Sequence, residues 1–351
     1  IGMDKLCVVV GKPLAAEYVE RIRAAEPRVE FLIEPDLLPQ MRWPSDHDGD
    51  PGFRRTPEQQ TRFEALIDSA DILYGIPDTK PAALARTVRA NPRLKWVQTM
   101  AAGGGAQVKA AGLTAEELAR VVFTTSAGVH AGTLAEFALF GVLAGAKDLP
   151  LLLDHKSRHH WSPARWAMRQ VSDMTVVVVG MGAIGQECAR RFTEVGARVI
   201  GVNRSRKQVD AVAELYLAEE IVEAASGADA LVNALPGTIG TEGLIGREVL
   251  QALRPGAIIT SVGRGTCLDE DAMAELLASG RLGFACLDVT RVEPLPADSP
   301  LWDLPNVLIA PHTAANSEKE DSRIAELFIE NLRAFLAGGP LRNVVDTELF
   351  Y

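Results

Sequence analysis

A run of buried-strand residues that leads into three glycines constrains this chain more than any other feature. Residues 175–179 read TVVVV, and Gly180, Gly182 and Gly185 follow in the pattern GxGxxG at the start of a helical stretch. The glycines permit a tight turn, close approach of a pyrophosphate to the backbone and close helix packing, while the helix N-terminus offers N–H donors. This order of strand, turn and helix predicts a dinucleotide-binding domain; the alternative is a glycine turn without a ligand.

Short β-branched runs alternate with helical stretches along most of the chain, which predicts two parallel sheets. The first series covers residues 6–10, 29–33, 72–76, 94–100 and 121–125. The second series has six runs, which match a dinucleotide-binding sheet, at residues 175–179, 198–202, 230–234, 257–262, 284–289 and 307–310. A last helical pattern, at 318–336, ends before Gly338, Gly339 and Pro340, residue types that stop helices.

The chain of 351 residues is longer than one ordinary hydrophobic core organises, so we expect two domains with a cleft between them. The predicted fold class is α/β, with two Rossmann-like or flavodoxin-like domains that each contain a parallel sheet. Residues 1–128 and 316–351 would form a discontinuous substrate (catalytic) domain, with the last helix packed back on the first sheet. The nucleotide-binding domain, residues 129–315, would be inserted between these two segments.

The charge and the cysteines argue against several classes of protein. The net charge of −10 is spread along the chain without a block of Lys and Arg, so no nucleic acid partner is expected. The four cysteines form no CxxC pair, which argues against a disulfide scaffold or zinc site and favours reduced thiols in the cytoplasm. The longest apolar stretch, 134–146, contains Glu136 and is too short to span a bilayer, so no membrane partner is expected.

Residues 38–57 are rich in Pro, Gly and Asp and are predicted to form an exposed insertion between two strands. Three aspartates in this segment, Asp46, Asp48 and Asp50, have the spacing of a calcium loop. The segment lacks the glycine and the glutamate that such a loop needs at its sixth and twelfth positions. A solvated acidic loop is therefore expected, and no metal site.

The loop after the second strand of the second series bears on the identity of the dinucleotide. An NAD-selective site usually carries an acid at this strand end, where it binds the ribose 2′-hydroxyl. This chain has Asn203 there, followed by Arg204, Ser205, Arg206 and Lys207, with no carboxylate in the cluster to repel a phosphate. The loop favours NADP(H), with NAD(H) as the second cofactor; the alternative is a solvated basic loop.

Three ionisable residues, Arg264, Glu293 and His312, each follow a strand of the second series. Ligands of open α/β sheets bind beyond the carboxyl ends of the strands, so all three are expected to face the cleft. A guanidinium can clamp the carboxylate of a 2-keto acid, and a histidine oriented by a carboxylate can give its proton to a carbonyl oxygen as hydride arrives. Each residue alone also has a simpler explanation, as a turn cap, an exposed charge or the partner of a backbone carbonyl.

Together with their surroundings, these residues resemble the D-isomer-specific 2-hydroxyacid dehydrogenase family, in which an Arg, a Glu and a His occur in this order. The intervals of 29 residues from Arg264 to Glu293 and 19 from Glu293 to His312 are similar to those of the family. The resemblance extends over nearly the whole chain and includes KWVQ at 95–98, AAG at 101–103, AEF at 135–137, the glycine turn, ALP at 234–236 and SPLWDLPNV at 299–307.

The resemblance implies roles for individual residues. Arg264 would bind the substrate carboxylate and keto oxygen, His312 would be the general acid and base, and Glu293 would be the partner of His312. Asp288 would contact the nicotinamide carboxamide. Substrate contacts are implied for Arg264, His312 and the backbone N–H groups of Ala102, Gly103 and Gly104. Cofactor contacts are implied for Gly180, Gly182, Ala183, Ile184, Gly185, Asn203, Arg204, Ser205, Arg206, Leu235, Pro236, Val262, Asp288, His312 and Ala314.

The loop at 203–206 is similar to that of the NADP-dependent glyoxylate and hydroxypyruvate reductases of this family, which implies a small 2-keto acid or D-2-hydroxy acid as substrate. The segment HHW at 159–161 also resembles that branch, and a packing or interface segment is the alternative. The apolar helix at 133–146 has more hydrophobic surface than one domain face needs, which predicts a homodimer like those of the family.

Two departures from the family pattern affect the predicted site. Gly104 and Gly105 stand where many members have an acidic residue, which predicts a more flexible loop, and Arg291 is expected to compete for Glu293.

Two other functions stay open on the sequence alone. Phosphite dehydrogenase shares the Arg, Glu and His pattern, and relatives of this fold act as dinucleotide-sensing corepressors or scaffolds.

Overall fold

The structure is a computed structural model that describes residues 5–350. It contains two compact units: the first comprises the chain up to His130 and again from Asn316 onward, and the second is Ala131–Ala315. Each unit is built around one sheet in which all strands are parallel. The second unit is inserted into the first along the chain, and the predicted α/β class with two parallel sheets is confirmed.

The strands, in chain order, are β1 Cys7–Val10, β2 Glu30–Leu32, β3 Ile72–Tyr74, β4 Trp96–Gln98, β5 Val122–Thr124, β6 Thr175–Val179, β7 Arg198–Asn203, β8 Glu214–Leu217, β9 Ala230–Asn233, β10 Ala257–Ser261, β11 Leu282–Leu287 and β12 Val307–Ile309. The α-helices are α1 Ala16–Ala25, α2 Pro57–Asp68, α3 Pro81–Ala90, α4 Gly105–Ala110, α5 Ala115–Arg120, α6 Ala131–Ala146, α7 Leu149–Ser157, α8 Ala183–Glu194, α9 Ile221–Ala225, α10 Arg247–Ala252, α11 Glu270–Ala278 and α12 Glu320–Leu336. Among the described residues, no helix has both the length and the apolar character needed to cross a membrane.

The five strands of the first unit have the order β2-β1-β3-β4-β5, which is the order of flavodoxin-like folds. Helix α12 packs on this sheet because one of its faces carries Ile324, Phe328 and Leu332, all fully buried. The ring of Phe328 stacks on Trp96 of β4 with 5.0 Å between ring centroids, and it packs edge-on against Tyr74 of β3 at 4.9 Å. The C-terminal helix is therefore part of the core of the first unit.

The seven strands of the second unit have the order β12-β11-β10-β9-β6-β7-β8. Counted from β6, this is the 3-2-1-4-5-6 order of dinucleotide-binding sheets with one further strand, β12. The valines of β6 alternate between two core clusters on opposite faces of the sheet, as a run of four buried valines requires. The sequence predicted six of these strands and missed β8, an edge strand with no fully buried residue and therefore a weak apolar pattern.

The prediction of a solvated acidic loop at residues 38–57 is wrong for the first of its three aspartates, Asp46. Asp46 is only 3% exposed, and its carboxylate accepts hydrogen bonds from the Arg42 guanidinium at 2.7 and 3.0 Å and from the Gly49 N–H at 3.1 Å. The Arg42 guanidinium, against the opposing effect of burial, lowers the pKa of Asp46 to about 2. This aspartate therefore stabilises a folded loop of the first unit.

All four cysteines are free and buried. Burial raises the pKa of Cys188 and Cys286 to about 12, so these thiols stay protonated near neutral pH. A protonated, buried thiol is a poor nucleophile and a poor metal ligand. These two cysteines therefore act as small apolar side chains of the core.

Candidate active site

Five neighbouring strands of the second unit, β12, β11, β10, β9 and β6, end at one edge of the sheet. Each of them leads into a loop with residues that the sequence predicts for the site: Gly180 after β6, Leu235 and Pro236 after β9, Arg264 after β10, Glu293 after β11 and His312 after β12. Because parallel strands point the same way, the topology brings these loops to one edge. Ligands of open α/β sheets bind at such an edge, near the switch point between β6 and β9.

The three glycines of the GxGxxG pattern, of which Gly180 and Gly182 precede α8 and Gly185 lies in its first turn, have three different surroundings. Gly180 has a φ of +96°, a conformation that favours glycine. A methyl group on Gly185 would lie 1.7 Å from the Gly180 carbonyl oxygen, whereas one on Gly182 would have no atom within 4 Å. Helix α8 begins at Ala183, followed by Ile184, and no side chain caps its first N–H groups. An open backbone before an uncapped helix N-terminus fits the pyrophosphate of a nicotinamide dinucleotide.

The basic loop after β7 contains a carboxylate partner that the sequence pattern did not reveal. The predicted residues of this loop are Asn203, which is half-buried, and Arg204, Ser205 and Arg206, which are exposed. Arg206 Nη2 donates to Glu220 Oε1 at 2.6 Å. The expectation of a cluster without a carboxylate is therefore wrong, because Glu220 lies beside Arg206 in the fold.

A buried asparagine that sequence reasoning missed holds the loop of Arg264. The side-chain amide of Asn233, at the end of β9, donates to the Arg264 carbonyl at 2.9 Å and to Ser261 Oγ at 3.0 Å. Its oxygen accepts from the Leu235 N–H at 3.1 Å. The only signal in the sequence was a polar residue at the end of an apolar run. The Arg264 side chain is exposed, and it donates one hydrogen bond to the Gly263 carbonyl at 3.0 Å.

The structure brings His312 and Glu293 together. His312 Nδ1 and Glu293 Oε2 are 2.7 Å apart, and the side chains are 45% and 37% exposed. The second carboxylate oxygen of Glu293 accepts from the Thr290 N–H at 3.2 Å, which orients the carboxylate. His312 has a φ of +52°, rare for a residue with a side chain, and its N–H donates to the carbonyls of Asp288 and Ala310. With Nδ1 engaged, Nε2 is the ring nitrogen that can face a ligand.

Asp288 organises the loop that carries His312. Its buried carboxylate accepts, through Oδ1, from the N–H groups of Thr313 at 2.8 Å and Ala314 at 2.9 Å. The loops after β10 and β11 also contact each other, since a methyl group on Gly265 would lie 2.1 Å from the Thr290 carbonyl oxygen. Close backbone contacts thus connect the loops that carry Arg264, Glu293 and His312. Of the other predicted contacts, Leu235 and Val262 are buried, and Pro236 is exposed.

Arg291 does not compete for Glu293. Its guanidinium binds Asp271 with two hydrogen bonds, at 2.7 and 3.0 Å, and its backbone N–H donates to Glu270 at 2.8 Å. The Arg291 guanidinium lowers the pKa of the Asp271 carboxyl. The competition expected from the sequence is therefore wrong, because helix α11 supplies Arg291 with two other acids.

Ala102, Gly103 and Gly104 form a turn of the first unit that leads into α4. Gly104 has helical angles and packs closely on Thr99, since a methyl group on it would lie 1.8 Å from Thr99 Oγ1, and the flexibility expected of this loop stays a prediction. The Gly104 N–H donates to the Ala101 carbonyl at 3.2 Å. The N–H groups of Ala102 and Gly103 donate no hydrogen bond to any residue that the structure describes.

The strand order, the GxGxxG turn at the switch point and the uncapped helix N-terminus define a dinucleotide-binding protein of the Rossmann class. The family model described as "D-isomer specific 2-hydroxyacid dehydrogenase, NAD binding domain" matches residues 139–314. The chain belongs to the D-isomer specific 2-hydroxyacid dehydrogenase family, and it is an NAD(P)-dependent oxidoreductase. The resemblance inferred from the sequence is thereby confirmed.

Three known proteins illustrate the similarity. Glyoxylate/hydroxypyruvate reductase B of Pectobacterium atrosepticum is 33% identical over 221 residues, which cover 62% of this chain and 69% of that protein. A D-isomer specific 2-hydroxyacid dehydrogenase from Xanthobacter autotrophicus Py2, solved with NADPH and MES, is 27% identical with a TM-score of 0.75, covering 99% of this chain and 100% of that one. The NADPH-dependent glyoxylate/hydroxypyruvate reductase from Sinorhizobium meliloti, solved with NADP and sulfate, is 26% identical with a TM-score of 0.74 and the same coverage, 99% and 100%.

Proposed function

We propose that the chain interconverts a small 2-keto acid and its D-2-hydroxy acid, with NADP(H) as the preferred cofactor and NAD(H) as the second. The hydrogen bond between His312 and Glu293 carries this proposal, because it orients an imidazole on the loop two strands from that of Arg264. The similarity to a glyoxylate/hydroxypyruvate reductase supports a substrate of the size of glyoxylate or hydroxypyruvate.

Each residue of the site has its own proposed role in the reaction. The bound nicotinamide supplies the hydride for reduction. Arg264 binds the substrate carboxylate and keto oxygen with its planar N–H groups. His312, held through Nδ1 by Glu293, donates its Nε2 proton to the keto oxygen and takes that proton back in the reverse direction. The N–H groups of Ala102 and Gly103 are proposed to bind the substrate carboxylate as well.

The second unit is proposed to hold the nucleotide, with the pyrophosphate at Gly182 and the N-terminus of α8. Arg204, Ser205 and Arg206 are proposed to bind the 2′-phosphate of NADP(H), and Asp288 the nicotinamide carboxamide. The NADPH and NADP in the two similar solved structures support this assignment. A cytoplasmic location is part of the proposal, supported by four buried cysteines that form no disulfide.

The direct test measures initial rates of NADPH and NADH oxidation with glyoxylate, hydroxypyruvate, pyruvate and a bulkier branched 2-keto acid. The proposal expects the highest kcat/KM with NADPH and one of the small acids. Higher kcat/KM with NADH would refute the cofactor preference. Turnover of phosphite with NADP⁺, together with no activity on any 2-keto acid, would indicate a phosphite dehydrogenase. Tight NADPH binding without turnover of any substrate would indicate a dinucleotide-sensing scaffold.

Single variants test the assigned roles. His312→Ala and Glu293→Gln should each lower kcat, the first by about 100-fold or more, because proton transfer at the keto oxygen loses its donor or the partner that orients it. Asp271→Asn is the matched control, since this acid also binds a basic side chain, Arg291, at the same edge of the unit. A His312→Ala enzyme that retains the kcat of the unmodified chain would refute its role.

We also propose a homodimer that forms through α6, α7 and the segment after them. Among the described residues, this region exposes eight large apolar side chains: Phe140, Leu143, Leu151, Leu152, Leu153, Trp161, Trp166 and Met168. Helix α7 has no buried residue, although its first five residues are Leu or Pro. We therefore propose that its apolar surface is buried against a second copy of the chain. Leu153→Glu should convert a dimer into a monomer in light scattering, and a monomeric unmodified chain at micromolar concentration would refute the proposal.

A further inference from the structure

The ion pair between Arg206 and Glu220 lies in the region assigned above to the 2′-phosphate. Arg206 Nη2 is 2.6 Å from Glu220 Oε1, and Arg206 Nη1 is 3.5 Å from the Leu215 carbonyl oxygen. The side chains are 60% and 30% exposed, so a ligand from solvent has access to the guanidinium. A carboxylate and a phosphate bind the same N–H groups of a guanidinium. Glu220 and a 2′-phosphate are therefore competitors for Arg206.

Glu220 is the better anchored partner of this pair. Its second oxygen, Oε2, accepts from the Leu217 N–H at 2.7 Å. Glu220 ends a short 3-10 helix, Ala218–Glu220, that continues directly into α9, where Ile221 and Ala225 are buried in the core. Arg206 lies on an exposed loop. A phosphate that approaches Arg206 therefore meets a carboxylate that the backbone already holds in place, and the negative charge of Glu220 opposes its binding.

We propose that Glu220 sets how strongly the enzyme prefers NADP(H) over NAD(H), because it binds Arg206 in competition with the 2′-phosphate. This inference rests on the proposed function, in which Arg206 binds that phosphate. NAD(H) carries a hydroxyl in place of the phosphate, so it neither needs Arg206 nor is repelled by a carboxylate. Glu220 therefore weakens the binding of one cofactor selectively, and removal of its charge strengthens the binding of NADP(H).

Glu220→Gln is the informative variant, because glutamine keeps the size of the side chain and one oxygen for the Leu217 N–H. Glu219→Gln is the matched control: it removes the same charge from the preceding residue, which is exposed and has no hydrogen bond to Arg206. Calorimetric titration of the full chain with 2′,5′-ADP and with 5′-ADP isolates the contribution of the 2′-phosphate without turnover. Steady-state kinetics then give the ratio of kcat/KM for NADPH over NADH.

Glu220→Gln should lower the Kd of 2′,5′-ADP by about 1.4- to fivefold, the range for one exposed charge pair, and raise the NADPH-to-NADH ratio of kcat/KM through the KM for NADPH. The effect should vanish when Arg206→Ala is also present, because Glu220 acts through Arg206. An equal effect of Glu219→Gln, or an unchanged Kd in Glu220→Gln while Arg206→Ala weakens 2′,5′-ADP, would overturn the inference alone. An Arg206→Ala variant that binds 2′,5′-ADP as tightly as the unmodified chain would overturn the proposed role of Arg206 itself.

Discussion

Replacement of Gly182 or Gly185 by alanine adds the same methyl group at two positions three residues apart, with opposite expected consequences. At Gly182 the methyl group has no protein atom within 4 Å, and the backbone angles of −73° and −166° are accessible to alanine. At Gly185 the methyl group lies 1.7 Å from the Gly180 carbonyl oxygen. The first variant therefore tests the ligand site, and the second tests the packing of α8 on the turn.

The expected magnitudes follow from these distances. The contact at Gly185 is about 2 Å shorter than an ordinary van der Waals separation, so α8 must shift, and the free energy of unfolding should fall by about 3 kcal/mol. Gly182→Ala should leave it unchanged or raise it by roughly 0.5 kcal/mol, since alanine has fewer unfolded conformations. The same methyl group would occupy the space proposed above for the pyrophosphate, so the Kd for NADPH should rise at least about tenfold, or 1.4 kcal/mol.

Urea unfolding of the cofactor-free variants, followed by circular dichroism, measures the first quantity, and NADPH fluorescence titration measures the second. The two variants serve as controls for each other, because each should change one quantity far more than the other. A Gly182→Ala protein that binds NADPH as tightly as the unmodified chain would refute the assignment of the pyrophosphate to this turn. A Gly185→Ala protein of unchanged stability would refute the packing argument.

Two further predictions concern buried polar residues. Asn233→Ala should lower the free energy of unfolding by about 2 kcal/mol and also lower kcat, because it leaves the Leu235 N–H without its acceptor and removes the side-chain hydrogen bond to the Arg264 carbonyl; urea unfolding and steady-state kinetics check both. Asp46→Asn should lower the free energy of unfolding by about 2 kcal/mol at pH 7, because Arg42 holds the pKa of this carboxyl at about 2 instead of 3.8. That stabilisation is present above about pH 4 and is lost as the pH falls towards 2, so unfolding curves of variant and unmodified chain should converge at low pH, and a constant difference would contradict the assignment.

Local patterns in the sequence determined the element types, the glycine turn and the ionisable residues at the strand ends. Each of these depends on neighbouring residues: strands on β-branched runs, the turn on glycine spacing, and the helix ends on glycine and proline. The carboxyl ends of parallel strands share one edge, so the position of Arg264, Glu293 and His312 after three strands already predicted their common location. That part of the site followed from backbone rules alone.

Only the tertiary structure decided which partner each polar side chain has. Arg206 binds Glu220 and Arg291 binds Asp271, and Asn233 bonds to residues up to 31 positions away. Such pairs depend on how strands and helices far apart in the chain are placed, and no local spacing encodes that placement. The edge strand β8 was missed for a related reason, since its pairing with β7 does not require the fully apolar pattern of a central strand.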